Sequence, residues 1–301
     1  MSAVFRAVGL GKRFGRGAAV LNGLDFEVPA GSVFGLIGPN GAGKTTTIKI
    51  LMNILQPSFG RAEVLGLDSR QLGPDEYAGI GYVSENQELP EWMTLEYLLS
   101  YLKPFYSTWD DARAADLVRR FELPRGRKLR HLSRGMRMKA ALVSSLAYRP
   151  RLLVLDEPFS GLDPVVREDL IEGVLESAGE TTVLISSHDL AEIESFVSHV
   201  GYLDGGRLQF AEEMASLSAR FREVEVTVDS PATIPDASQW PAHWLRPEKA
   251  AALVRFVETR FDQERTTAEV RRVFEQVRHI AVNPMPLRAI FVTLARASKT
   301  A

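Results

Sequence analysis

Apolar residues run unbroken through SVFGLIG (32–38) and stop at a glycine, the pattern of a strand buried on both faces of a parallel sheet. Before it, AVFRAVGL and AVLNGLDFEV predict two short strands, with Pro29-Ala30-Gly31 as a turn. After it the period changes. In TTTIKILMNIL, Ile48, Leu51, Met52 and Leu55 fall at helical spacing from Thr45 onward, and Pro57 follows as a stop.

Residues from about 86 to 150 predict three helices and few strands. Thr94 is placed to cap TLEYLLSYLKPFY; DDARAADLVRRFEL puts Leu117, Val118 and Phe121 on one face; a third helix starts at Ser133 and runs through Leu142, Val143 and Leu146 to Pro150. Strand patterns return in LLVLD (152–156) and TTVLISS (181–187), separated by the helical PVVREDLIEGVLESAG. Asp204-Gly205-Gly206 between VGYL and RLQF predicts a hairpin turn. After about residue 215 the texture shifts to an alternating strand, EVEVTV (223–228), then a turn-rich stretch, a helix over 267–278 and a last helix in PLRAIFVTLAR. The expected division is an α/β domain over 1–215, its helical part at about 86–150, and a small α+β appendage over 216–301.

Composition narrows the classes. Hydrophobic residues make up 45% of the 301 and charged residues 25%, enough for packed cores. A net charge of −2 argues against a chain built to coat nucleic acid, and no nucleic-acid partner is expected. Cysteine is absent, which excludes disulfides and thiolate metal sites. The first residues carry Arg6 and no long apolar run, unlike a secretory signal, and no stretch of about 18 apolar residues appears. Any service to a membrane is therefore expected to go through a partner.

The strongest chemical pattern is Gly38-Pro39-Asn40-Gly41-Ala42-Gly43-Lys44-Thr45, which fills G-x-x-x-x-G-K-[ST] between a strand and a helix, with Thr46 behind it. Its glycines let the backbone wrap a polyphosphate so that N–H groups and the helix N-terminus face the charge. Lys44 reaches the β- and γ-phosphates and the Thr45 hydroxyl ligates Mg²⁺. Kinases, GTPases and ATPases all remain open at this point. LLVLDEP then puts Asp156 at a strand end, where it holds the Mg²⁺ shell, with Glu157 next to it to polarise a water.

These residues, with LSRGM (132–136), SGLDP (160–164) and SSHD (186–189), resemble the nucleotide-binding subunit of ABC transporters over about residues 1–215. The resemblance implies a P-loop NTPase (RecA-like) core with an antiparallel β subdomain and an inserted α-helical subdomain. It implies ATP and Mg²⁺ as ligands and hydrolysis coupled to transport. Phe14 would lie against adenine, His188 would contact the γ-phosphate, and Asp163 would tie two active sites together. Ser133, Arg134, Gly135 and Met136 would face the nucleotide of a second subunit, either a copy of this chain or a closely related ATPase, paired head to tail. An integral-membrane permease subunit would complete the assembly, holding this chain at the cytoplasmic face. The closing PLRAIFVTLAR resembles cassettes serving ABC-2-type membrane partners and favours export.

Two positions depart from the family pattern. Glu85 stands where a glutamine is usual, and is expected to approach the Mg²⁺ as a carboxylate. In LSRGM, Arg134 replaces a glycine and Met136 a glutamine. A soluble ABC ATPase without a transport role and a weakly active regulatory cassette stand as the alternatives.

Overall fold

The computed structural model describes residues 3–297. Two compact units divide the chain, 1–211 and 212–301.

The first unit opens with β1 (Ala3–Arg13) and β2 (Ala19–Pro29), then β3 (Val33–Ile37) and α1 (Lys44–Leu51). Next come β4 (Phe59–Val64), β5 (Leu67–Asp68), α2 (Pro74–Tyr77) and β6 (Ile80–Ser84). Three helices follow, α3 (Leu95–Leu102), α4 (Asp111–Arg120) and α5 (Arg134–Leu146), before β7 (Leu152–Asp156), α6 (Pro164–Leu175) and β8 (Thr182–Ser187). The hairpin of β9 (His199–Asp204) and β10 (Arg207–Glu213) closes the unit, its last two residues passing the boundary.

A six-stranded sheet has the order β10-β9-β3-β8-β7-β6, and a second, antiparallel sheet the order β2-β1-β4-β5. Strands β3, β8, β7 and β6 run parallel, as does β9 beside β3. Every residue of β3, β7 and β8 is buried, which is why their sequences read as continuous apolar runs. The antiparallel sheet packs Phe5, Leu24 and Phe26 into a core shared with Phe34, Leu36 and Ile48. Because β3 and β8 are neighbours although far apart in sequence, the chain segments leaving their C-terminal ends meet at one edge of the sheet, the place where open α/β sheets bind ligands.

The helices between β6 and β7 start on side-chain caps: Thr94 accepts from the Tyr97 amide at 3.2 Å, Asp110 from Arg113 at 2.9 Å and Ser133 from Met136 at 3.2 Å. Each cap satisfies an amide that has no partner within the helix. The α1 helix is shorter than its apolar spacing predicts. It ends at Leu51, because Met52 caps it and Asn53 turns left-handed at φ 53°, so Leu55 lies beyond the helix.

The second unit contains α7 (Met214–Arg220), β11 (Arg222–Val228), β12 (Trp244–Ala250), β13 (Leu253–Glu258), α8 (Gln263–Val273), β14 (Val277–Pro284) and α9 (Leu287–Ala297). Its sheet has the order β12-β13-β11-β14, antiparallel throughout. The helix predicted over 267–278 begins earlier, at Gln263, with Asp262 as its cap, and stops at Val273. Residues 277 and 278 belong instead to β14, where Val277 faces Val228 across the edge of the sheet. Trp240, Trp244, Phe256 and Phe274 form the core, with Trp244 and Phe256 stacked at 4.0 Å. Glu258, fully buried, accepts Trp244 Nε1 at 2.9 Å and the Arg260 amide at 2.6 Å. No helix among the described residues is long and apolar enough to cross a membrane.

Candidate functional site

The loop between β3 and α1 wraps tightly because its glycines allow it. Gly43 caps α1 in a left-handed conformation, φ 109°, and a Cβ there would fall 2.4 Å from Leu21 Cδ2. Gly206, at the β9–β10 turn, meets the same strand: a Cβ on it would lie 2.4 Å from the Val20 carbonyl oxygen. Strand β2 thus forms a wall behind both turns. Pro39, Asn40, Gly41 and Thr45 are exposed on the rim, Thr46 is half-buried, and Gly38, Ala42 and Lys44 are buried.

Lys44 is nearly enclosed, with 5% of its side chain exposed, so its ammonium has to be paired. Nζ donates to the Gly38 carbonyl at 2.6 Å and to Pro39 at 3.2 Å, and lies 3.1 Å from Glu157 Oε1. The other oxygen of Glu157 lies 2.8 Å from His188 Nδ1 and accepts the His188 amide at 3.3 Å. That hydrogen bond holds the imidazole pKa above its ordinary 6.5. Glu157 reaches both partners from a backbone at φ 52°, a left-handed conformation unusual for glutamate, immediately after β7.

One residue back, Asp156 accepts the Thr45 hydroxyl at 3.1 Å and the Ser186 hydroxyl at 2.7 Å. Burial pushes its carboxyl above the ordinary range, and the two hydroxyls work against that shift. The donor set is hard oxygen throughout: one hydroxyl and one carboxylate beside a phosphate-type loop, with the Glu157 carboxylate next door. It fits a hard divalent cation such as Mg²⁺, whose charge would compensate the paired acids.

Ser186 carries no part in the sequence reading, although it lies in SSHD. It sits directly opposite Asp156 in the parallel register of β7 and β8, and that pairing is its only signal. Its oxygen also accepts the Glu157 amide at 3.0 Å, so it sets both acids.

The remaining candidates lie elsewhere. Asp163 caps α6, accepting the Val166 amide at 3.0 Å. Phe14 is half-exposed, with Lys12 Nζ 5.1 Å above its ring. Ser133 caps α5, Met136 is half-buried, and Gly135 is buried against Val166. Among the described residues, the contacts of Ser133 to Met136 run to Glu85 and to the α6 region, not to the loop at 38–45. Glu85 makes no side-chain hydrogen bond to Thr45, Asp156 or Glu157 among the described residues; its Oε1 accepts Arg134 Nη2 at 2.6 Å, and its amide donates to the Asp156 carbonyl at 3.0 Å.

The arrangement offers a cation and helix amides for a polyphosphate, hard oxygens for a metal, and a carboxylate with an imidazole where the phosphate chain would end. Residues 21–160 match the ABC transporter family. The ABC transporter ATP-binding protein YtrB of Bacillus subtilis (strain 168) is 30% identical over 216 residues, 71% of this chain and 74% of that protein. The Nod factor export ATP-binding protein I of Cupriavidus metallidurans is 34% identical over 216 residues, 69% of this chain and 70% of that protein. Among solved structures, the ATP binding subunit of an ABC transporter superposes with a TM-score of 0.66 at 29% identity, covering 72% of this chain and 92% of that one.

Proposed function

The chain belongs to the ABC transporter ATP-binding proteins, and on that premise we propose that it works as a head-to-tail pair of subunits hydrolysing ATP to drive export through a separate membrane subunit. The observation that carries this reading is the convergence of Lys44, Glu157 and His188 beside the Thr45–Asp156–Ser186 cluster.

The amides of Asn40, Gly41 and Gly43 and the α1 N-terminus cradle the phosphates, and Lys44 turns its Nζ from Glu157 toward the β- and γ-oxygens. Thr45 and Asp156 would hold Mg²⁺, which supplies charge neutralisation at those oxygens. Glu157 orients a water and takes its proton as the water oxygen bonds to the γ-phosphorus and the bond to the β–γ bridging oxygen breaks. ADP and inorganic phosphate leave. His188 holds Glu157 in place and donates to the γ-phosphate in its charged form.

The second subunit presents its own α5 N-terminus to this phosphate. The Ser133 oxygen already accepts the Met136 amide, so its proton is left to donate across the interface beside the Gly135 amide. Phe14 stacks on the adenine, and Asp163 lies near the facing copy at the start of α6. The name of the Cupriavidus relative favours export over import. Purified chain with Mg-ATP should release phosphate with a rate per subunit that rises with protein concentration, and should pull down a multi-helix membrane subunit. Absence of phosphate release at any concentration would exclude the reading.

A further inference from the structure

The two unusual charges of the sequence, 49 positions apart, meet. Arg134 is the first residue of α5, and its Nη2 donates to Glu85 Oε1 at 2.6 Å. On its other side the guanidinium lies over Gly161, close enough that a Cβ there would come 3.0 Å from Nη1. Glu85 is tied by its main chain as well, its amide donating to the Asp156 carbonyl at 3.0 Å. The next residue, Gly135, is pressed on Val166 of α6, where a Cβ would come 2.9 Å from Cγ1. Arg134 therefore joins three segments of one chain: the loop leaving β6, the head of α5 and the turn before α6.

Each charge would be a liability alone. An unpaired carboxylate at 85 would add a third acid near Asp156 and Glu157. An unpaired guanidinium at the first position of α5 would sit at the positive end of the helix dipole. Together they cancel both. The pair lines a cleft of about 560 Å³ together with Glu88, Glu91 and Arg137, so acids outnumber bases there.

We infer that Glu85 and Arg134 act as one positioning unit for ATP hydrolysis. Their ion pair sets the head of α5, with its Ser133 and Gly135 donors, against the Asp156 strand end before a second subunit's nucleotide arrives. The inference rests on the ATPase reading above. It assigns neither residue to direct contact with phosphate, and it places the effect of both in the turnover of the pair of subunits. Nucleotide capture stays with the loop at 38–45 of each chain.

A double-mutant cycle tests this, using Glu85→Gln, Arg134→Gln and the double variant in the full chain. Each single variant should lower kcat about five- to tenfold, since small displacements of positioning groups carry losses of that order, while KM for Mg-ATP stays within about twofold. The double variant should be no slower than the slower single, because one interaction is lost in all three. Amide hydrogen exchange over residues 85–92 should rise in both singles, a readout that needs no nucleotide. Losses that multiply in the double variant would overturn the inference. So would singles with wild-type kcat and exchange, or losses that simply track a fall in Tm. A wild-type chain that hydrolyses no ATP would fail the ATPase reading instead, and the exchange measurement would then decide whether the pair fixes the loop.

Discussion

Ser186 donates to Asp156 at 2.7 Å while accepting the amide of Glu157 at 3.0 Å, so a single hydroxyl on β8 sets two consecutive acids at the end of β7. Replacing it with alanine removes a donor to a buried carboxylate and frees the amide that fixes the left-handed turn at Glu157. Ser186→Ala should weaken Mg²⁺ affinity about 10- to 100-fold, as loss of a group supporting a metal ligand does. Titration of Mg²⁺ against bound fluorescent ATP analogue checks it; an unchanged midpoint would separate Ser186 from the metal position.

Lys44 is enclosed between two loop carbonyls and Glu157. Lys44→Ala should abolish measurable ATP binding, since a charge-assisted contact to phosphate is lost from the middle of the loop. Folding should survive, because the half-buried Glu157 keeps His188 as a partner. Titration with a fluorescent ATP analogue, beside a far-UV CD spectrum, distinguishes the two effects.

Glu157→Gln keeps the size of the side chain but removes the carboxylate proposed as base, and its single oxygen can no longer accept from both Lys44 and His188. Hydrolysis should fall about 10²-fold or more while ATP binding persists, and the variant should accumulate as a dimer in light scattering with Mg-ATP. The same change should lower the pKa of His188, because the carboxylate now holds the imidazolium and raises its value. A raised histidine pKa means the contact stabilises the fold fully below the ordinary 6.5 and loses that contribution as pH climbs through the folded-state value. In Glu157→Gln that window should close, and an NMR titration of the His188 ring protons reads it directly. A midpoint that stays put would remove Glu157 as the cause.

In the C-terminal unit, Glu258→Ala strands the Trp244 Nε1–H in an apolar core. A buried donor left without a partner costs about 1–3 kcal/mol, so that unit should melt at lower temperature. The near-UV CD of its tryptophans reports the loss. Nucleotide binding, whose candidate residues all precede residue 212, should be retained.

Much of the first unit is legible in sequence because its buried parallel strands must be apolar on both faces. SVFGLIG, LLVLD and TTVLISS can be little else, and the helix caps at Thr94 and Ser133 announce themselves locally. Helix ends are less legible. Asn53 gives no strong stop signal, and residues 277–278 carry a helix-compatible pattern that pairing with β11 overrides. The clustering of Lys44, Asp156, Glu157 and His188 follows from strand order, which motif order suggests. The contact of Glu85 with Arg134 does not. It depends on how a loop and a helix head lie in space, and nothing local to either residue encodes a partner 49 positions away.

Gly43 and Gly206 both abut β2 at Val20 and Leu21, one in the loop at 38–45 and one in the β9–β10 hairpin, far apart in sequence. They act as spacers that fix how closely the antiparallel sheet approaches the parallel one. Tolerance to substitution at the two sites should therefore look alike, although only one belongs to the loop at 38–45. A screen that scores variants by ATP turnover would flag Gly206 as if it were part of the active site. The defect it reported would be one of distance between sheets, passed to the phosphate loop through Val20 and Leu21, and not one of chemistry.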